Sequence, residues 1–225
     1  MLKMELVNTF HSLHIENDAD KDGDTILHVA IICYMNDHAL TLIDKSWLNI
    51  QNYLLQTPLH LAVLTSQINI VRALLSKGAI ATLRDHKGNT PLHIACEKGD
   101  RYSVDALVRS ISDISIQNCE GLTCVHVASM RREFFILGLL FRRGADVNIG
   151  KSGRTALHYA VEKNNIEMVR FLLTHPDIEV DRETYKGESA LYMAFWRNNL
   201  GIVKELIEKG AYFDYGYFEK GVMTN

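Results

Sequence analysis

The chain has 225 residues, 47% of them hydrophobic and 23% charged, with a formal net charge of −3. That balance belongs to a folded globular chain and excludes disorder over the whole length, which needs low hydrophobicity and high net charge. It also argues against a surface built for phosphate contacts, which would carry a basic surplus, so no direct nucleic-acid binding is expected. The longest apolar stretch, residues 26–35, is interrupted by His28 and is too short for a membrane span, which needs about 20 residues. No run of signal-peptide character occurs in MLKMELVNTFHSLHIEND, and no Asn-x-Ser/Thr site occurs anywhere. Cys33, Cys96, Cys119 and Cys124 are too few for a disulfide framework. The expectation is a reduced compartment: a cytoplasmic protein, with the nucleus also open to it, neither secreted nor membrane-bound.

In chain order, the first feature is acidic. Residues 16–24 carry Glu16, Asp18, Asp20, Asp22 and Asp24 against the single cation Lys21. Such a segment attracts a Lys/Arg-rich peptide; the alternative is a solvated leader with no specific partner. A repeat then begins. TILHVA at 25–30 recurs as TPLHLA at 57–62, TPLHIA at 90–95, TCVHVA at 123–128 and TALHYA at 155–160, with a degenerate sixth copy, SALYMA, at 189–194. The central residues are His28, His60, His93, His126, His158 and Tyr192, spaced 32, 33, 33, 32 and 34 apart. Five full copies at a period near 33 are not a chance event and define a repeat array.

Each copy reads as one helix–turn–helix unit. Glycine stands two residues before the Thr or Ser at Gly23, Gly88, Gly121, Gly153 and Gly187, where a turn needs positive φ. The second copy has Leu55 there, so a locally different hairpin is expected. The Thr or Ser starts the first helix as its cap, and proline follows it at Pro58 and Pro91, where the missing N–H costs nothing. A second helix follows: IVRALL at 70–75, FILGLL at 135–140, MVRFLL at 168–173 and IVKELI at 202–207 are apolar at helical spacing. The segments Lys77-Gly78-Ala79, Arg143-Gly144-Ala145 and Lys209-Gly210-Ala211 supply left-handed C-caps with a cation at the negative helix end. The expected fold is all-α: a solenoid of six helix–turn–helix repeats with short β-hairpin arms, stacked into one continuous core. The expected layout is an acidic extension over 1–21, repeats over 22–52, 53–85, 86–118, 119–150, 151–183 and 184–215, and a short tail over 216–225. The last copy adds an aromatic cluster, Phe195, Trp196, Tyr212, Phe213, Tyr215, Tyr217 and Phe218. These rings either cover the end of the stack or are exposed as partner contacts.

Catalytic chemistry finds no support. The chain holds no His-Glu-x-x-His, Gly-x-Ser-x-Gly, Walker or Gly-x-Gly-x-x-Gly motif. The five repeat histidines are read as structural, each bonding backbone of its neighbour. His11 and His14, or Cys119 and Cys124, do not supply the three or four ligands zinc requires. No cofactor or metal is expected, and binding of another macromolecule is the default function of such an array.

The residues between the motifs narrow the reading. The Thr-x-Leu-His-x-Ala hexamer at this period resembles the ankyrin repeat. DGDTILHVAII at 22–32, LNIQNYLLQTPLHLAVLTSQINIVRALLSKGA at 48–79 and RDHKGNTPLHIACEKGD at 84–100 resemble successive repeats of the IκB family of NF-κB inhibitors. GLTCVHVAS at 121–129, GADVN at 144–148, SGRTALHYAVE at 152–162 and TYKGESALYMAFWRNN at 184–199 continue the resemblance in order. It implies binding of Rel/NF-κB dimers, with the first two repeats covering the basic nuclear localisation segment and later repeats blocking DNA binding. The implied contact residues are Asp18, Asp20, Asp22, Asp24, Asn52 and Tyr53 at the front, and Arg182, Tyr185 and Trp196 at the back. A monomer is expected when the protein is free. The chain departs from regulated members of the family. It has no Asp-Ser-Gly-x-x-Ser phosphodegron, and its last residues, GYFEKGVMTN, hold one acidic residue in place of an acidic Pro/Glu/Ser/Thr-rich tail. These departures imply an inhibitor that resists signal-induced degradation, of cellular or viral origin. Alternatives are a nuclear IκB-like coactivator of Rel homodimers and a generic ankyrin adaptor.

Overall fold

The computed structural model describes residues 19–43 and 47–212. Among the described residues twelve α-helices form six antiparallel pairs: α1 (Ile26–Ile32) with α2 (Asn36–Leu42), α3 (Pro58–Leu64) with α4 (Ile68–Ser76), and α5 (Pro91–Lys98) with α6 (Arg101–Ser110). They continue with α7 (Cys124–Met130) and α8 (Phe134–Arg142), α9 (Ala156–Glu162) and α10 (Ile166–Leu173), and α11 (Ala190–Trp196) and α12 (Leu200–Glu208). First helices pack side by side in one layer, and second helices form the layer behind. Between α8 and α10 the backbones are less closely packed, and rings fill the space. Phe134 and Phe141 both meet Phe171, at centroid distances of 5.4 and 6.3 Å.

The hexamer dictates this packing. Its third residue is buried in every copy (Leu27, Leu59, Leu92, Val125, Leu157, Leu191), as is its sixth (Ala30, Ala62, Ala95, Ala128, Ala160, Ala194). The alanines let neighbouring first helices approach closely. Ile70 and Leu74, Val104 and Leu107, Ile136 and Leu140, Met168 and Leu172, and Ile202 and Leu206 fill the space from the second layer. No copy can bury these faces alone, so stability comes from stacking.

The turn between paired helices is held the same way in each copy. A backbone N–H returns to the carbonyl of the hexamer alanine, from Met35, Gln67, Asp100, Glu133, Asn165 and Asn199, at 2.8–3.0 Å. This bond forces a left-handed residue just before it, which is Gly99 in one copy and Tyr34, Ser66, Arg132, Asn164 and Asn198 in the others.

Two expectations need correction. Among the described residues the arms between repeats are not strands. They are tight turns, with one isolated bridge between Glu183 and Ser189. Adjacent turns are tied by single backbone bonds, such as Tyr53 N–H to the Asp22 carbonyl (3.0 Å) and Cys119 N–H to the Lys87 carbonyl (3.0 Å). Nor is the second hairpin different. Leu55 adopts φ +55° and donates its N–H to the Asn52 carbonyl at 2.8 Å, as Gly88 does to Asp85. The turn's own bonds hold leucine in a conformation that costs an L-residue about 1–2 kcal/mol. Leu55→Gly is therefore expected to stabilise the array by about 0.5 kcal/mol, since glycine's greater unfolded-state entropy offsets part of the relief. A urea melt reads this as a raised midpoint; a lowered midpoint would show that packing of the leucine side chain outweighs the strain.

Candidate partner-binding face

The repeat histidines set the spacing of the face formed by the hairpin turns and first helices. In each of the five copies Nε2 meets a backbone carbonyl of the next repeat: Gln56, Asn89, Leu122, Arg154 and Glu188, at 3.0–3.3 Å. A carbonyl only accepts, so Nε2 carries the proton and Nδ1 is bare. Nδ1 then accepts the N–H of its own Thr (3.1 Å in His126) and the Thr hydroxyl (2.8 Å). This is a capping box with histidine in the place usually held by glutamate. The rings are buried, and desolvation lowers the pKa of His28, His60, His126 and His158, that of His126 to about 4. His93 is the exception: burial pulls it down most, but its interactions with the adjoining Cys124 and with the backbone of Leu122 and Ile116 together leave it raised. Position six carries Tyr192 and a Ser189 cap, whose Oγ accepts the Tyr192 N–H at 3.1 Å.

At the front end the acidic residues divide. Asp18 lies outside the described residues. Asp20 folds back on its own turn, accepting the N–H groups of Asp22 and Asp24, both at 2.9 Å. Asp24 and Asn52 are buried and bonded to each other at 2.7 Å, while the Asn52 side-chain oxygen holds the N–H groups of Leu54 and Gln56. Their polar groups serve the hairpins; of the three described aspartates Asp20, Asp22 and Asp24, Asp22 is the exposed one. Beside it the Tyr53 ring is 75% exposed and flanked by exposed Leu54 and Leu55.

At the back end the structure brings together residues the sequence scattered. A groove of about 470 Å³ opens between repeats five and six. It is lined by Tyr185, which is 85% exposed, and by half-exposed Trp196, with Tyr192, Met193, Arg154, Glu162, Lys186, Glu188 and Arg197. Arg154 pairs with Glu162 at 2.6 Å and lies over the Tyr159 ring at 5.1 Å. Arg182 does not line the groove; it is exposed and paired with Glu179 at 2.8 Å. Phe195, Trp196 and Tyr212 are all more than a third exposed, and Phe213, Tyr215, Tyr217 and Phe218 lie outside the described residues. Sequence reading missed Arg154, Tyr192, Lys186 and Arg197. The signal was available: Arg154 holds the position before the repeat Thr, which Asn89 and Leu122 hold in repeats three and four, on the same face.

Cys119 is exposed and Cys124 buried, so the two thiols of that pair sit in different surroundings. Among the described residues no helix is long and apolar enough to cross a membrane.

Comparison with known proteins agrees with this architecture. A family model described as ankyrin repeats (3 copies) matches residues 3–85, 48–118, 79–151 and 148–216. The chain is 37% identical over 210 residues to the nuclear factor NF-kappa-B p105 subunit of Gallus gallus, covering 88% of this chain and 21% of that one. It is 38% identical over 206 residues to the B-cell lymphoma 3 protein homolog of Mus musculus, covering 85% and 45%. To the NF-kappa-B inhibitor alpha of Homo sapiens it is 49% identical over 76 residues, covering 31% and 23%. The chain thus spans less than half the length of these relatives. Among solved structures, the ankyrin repeat domain of Bcl-3, described as a unique member of the IkappaB protein family, superposes with a TM-score of 0.79 at 38% identity. That superposition covers 85% of this chain and 89% of the Bcl-3 domain. Repeat period, histidine ladder and sustained identity converge: the chain belongs to the ankyrin-repeat proteins and, within them, to the IκB family.

Proposed function

We propose that this protein binds Rel/NF-κB transcription-factor dimers through the hairpin-and-first-helix face of its array, and that it acts by binding, not by catalysis. The observation that carries the reading is the 38% identity to the Bcl-3 array at a TM-score of 0.79, sustained across 85% of the chain. In this reading the front end, with Asp22 and Tyr53, covers the basic nuclear localisation segment. The later repeats, with Tyr185 and Trp196, engage the dimerisation region and block DNA binding. The protein is monomeric when free, acts in the cytoplasm with access to the nucleus, and needs no cofactor. Calorimetric titration against a purified Rel-homology dimer tests the reading. A sub-micromolar complex is expected, and the absence of heat or of a co-eluting complex would leave an ankyrin adaptor for another partner.

The 225 residues contain no Asp-Ser-Gly-x-x-Ser motif. A chain of this sequence, expressed in cells, is expected to persist when stimulation degrades a degron-bearing inhibitor. Equal decay in a translation-blocked chase would contradict this. The nuclear coactivator remains the second reading, favoured by the extent of the similarity to the Bcl-3 array, which covers 85% of the chain, against 31% for the inhibitor alpha of Homo sapiens.

A further inference from the structure

The groove between repeats five and six carries a chemistry opposite to that of the front end. Its lining holds three cations against two carboxylates, and one pair cancels, because Arg154 and Glu162 are 2.6 Å apart. Lys186 makes no ion pair among the described residues. Among the described residues Arg197 makes a long contact, 3.4 Å, to the backbone carbonyl of Glu162 and no ion pair. Glu188 is the one carboxylate left to face both. The same lining holds the rings of Tyr185 and Trp196, the latter 6.0 Å from Tyr192, and the largely buried Met193.

Exposed rings beside unneutralised cations suit a ligand with an apolar side chain next to a carboxylate. The ring faces and Met193 take the apolar group out of water, and the ammonium and guanidinium answer the negative charge. A basic segment fits poorly here, since it would bring its charge against Lys186 and Arg197. At the other end of the array the first hairpin turn exposes the Asp22 carboxylate.

Building on the reading above, we infer that this groove receives an acidic segment of the partner carrying an aromatic or aliphatic side chain. The partner would thus lie along the array with a basic stretch at repeats one and two and an acidic, apolar-tipped stretch at repeats five and six. The opposed charges fix its direction, because reversing it places like charges at both ends.

The test uses the full chain and two fluorescein-labelled peptides, Glu-Leu-Glu-Phe-Glu-Glu and its counterpart with lysine in place of every glutamate, followed by anisotropy at low and physiological salt. The acidic peptide is expected to bind about tenfold more tightly than the basic one, with the preference weakening as salt rises. Lys186→Glu combined with Arg197→Glu is expected to weaken the acidic peptide about tenfold, and Tyr185→Ala several-fold. Lys204→Glu, on the second-helix layer outside the groove lining, is expected to leave its affinity unchanged. All four positions are exposed, and an unchanged urea midpoint confirms that each variant folds. Equal affinity for both peptides, no saturation with the acidic one, or insensitivity to the double charge reversal overturns the inference. Since no Rel protein is in this assay, failure here with a Rel dimer still bound removes only the groove's role. A groove that takes the peptide in a protein that ignores Rel dimers removes only the Rel reading.

Discussion

Lowering the pH from neutral towards about 4 is expected to remove several kcal/mol of the array's stability through its histidines alone. The cause is the histidine ladder. In the unfolded chain each ring takes up a proton near its ordinary pKa of about 6.5. In the folded array His28, His60, His126 and His158 resist protonation because burial disfavours the charge, His126 down to about 4. A bare Nδ1 that already accepts two hydrogen bonds cannot take a proton without breaking them. Between these limits the unfolded state binds more protons than the folded one, so stability is fully present above about pH 6.5 and falls as the pH drops through the window. His126 alone contributes on the order of 3 kcal/mol, from a shift between about 6.5 and about 4. His93, raised by Cys124 and its backbone partners together, works in the opposite sense and reduces the total. Urea midpoints measured at neutral pH, near pH 5.5 and near pH 4.5 should descend in that order; a flat or rising series would show that the rings titrate freely.

The second large effect is expected from His126→Leu, which keeps much of the side-chain volume and removes the polar bonds. The ring joins Arg154 of the next repeat at 3.3 Å and its own Thr123 at 2.8 and 3.1 Å, and meets the Tyr159 ring edge-on at 5.4 Å. Leucine leaves the Thr123 N–H and the Arg154 carbonyl without these partners in a largely buried place, at about 1–3 kcal/mol each. A loss of about 3 kcal/mol is expected, enough to matter in a domain of ordinary stability. The variant should also lose stability less steeply below pH 6.5 than the parent, because one titrating ring is gone. A loss under about 1 kcal/mol, or an unchanged pH slope, would assign the ladder a smaller part in stacking than its geometry indicates.

These two effects rest on the part of the molecule that was most legible in the sequence. Threonine, histidine three residues later and a period near 33 are local signals, and each copy repeats the same bonds. The features that were not legible depend on contacts between copies. Leu55 reads as a break in the glycine pattern, yet the Asn52 turn, with the His86 N–H bonded to the Leu54 carbonyl at 3.0 Å, holds it in the glycine conformation. Asp24 reads as one of a run of exposed acids, yet Asn52, 28 residues on, takes it inside. A count of linear charge cannot register such a pairing. Tyr185 and Trp196 were singled out from the sequence, but the groove they share also needs Arg154, more than thirty residues upstream of either, and that proximity exists only once repeats five and six have stacked. Arg182, chosen beside them, falls outside the lining because its helix-free segment leaves it to Glu179.

The proposal at stake is that this array binds a Rel dimer in a way that blocks its DNA binding. Its most direct test is a titration of the purified protein against a Rel-homology dimer already bound to labelled κB-site DNA. The account predicts that the DNA complex disappears as free DNA and a new protein–protein complex accumulate at sub-micromolar concentration. A ternary complex that retains its DNA, or a DNA complex that persists unaltered throughout, would contradict it.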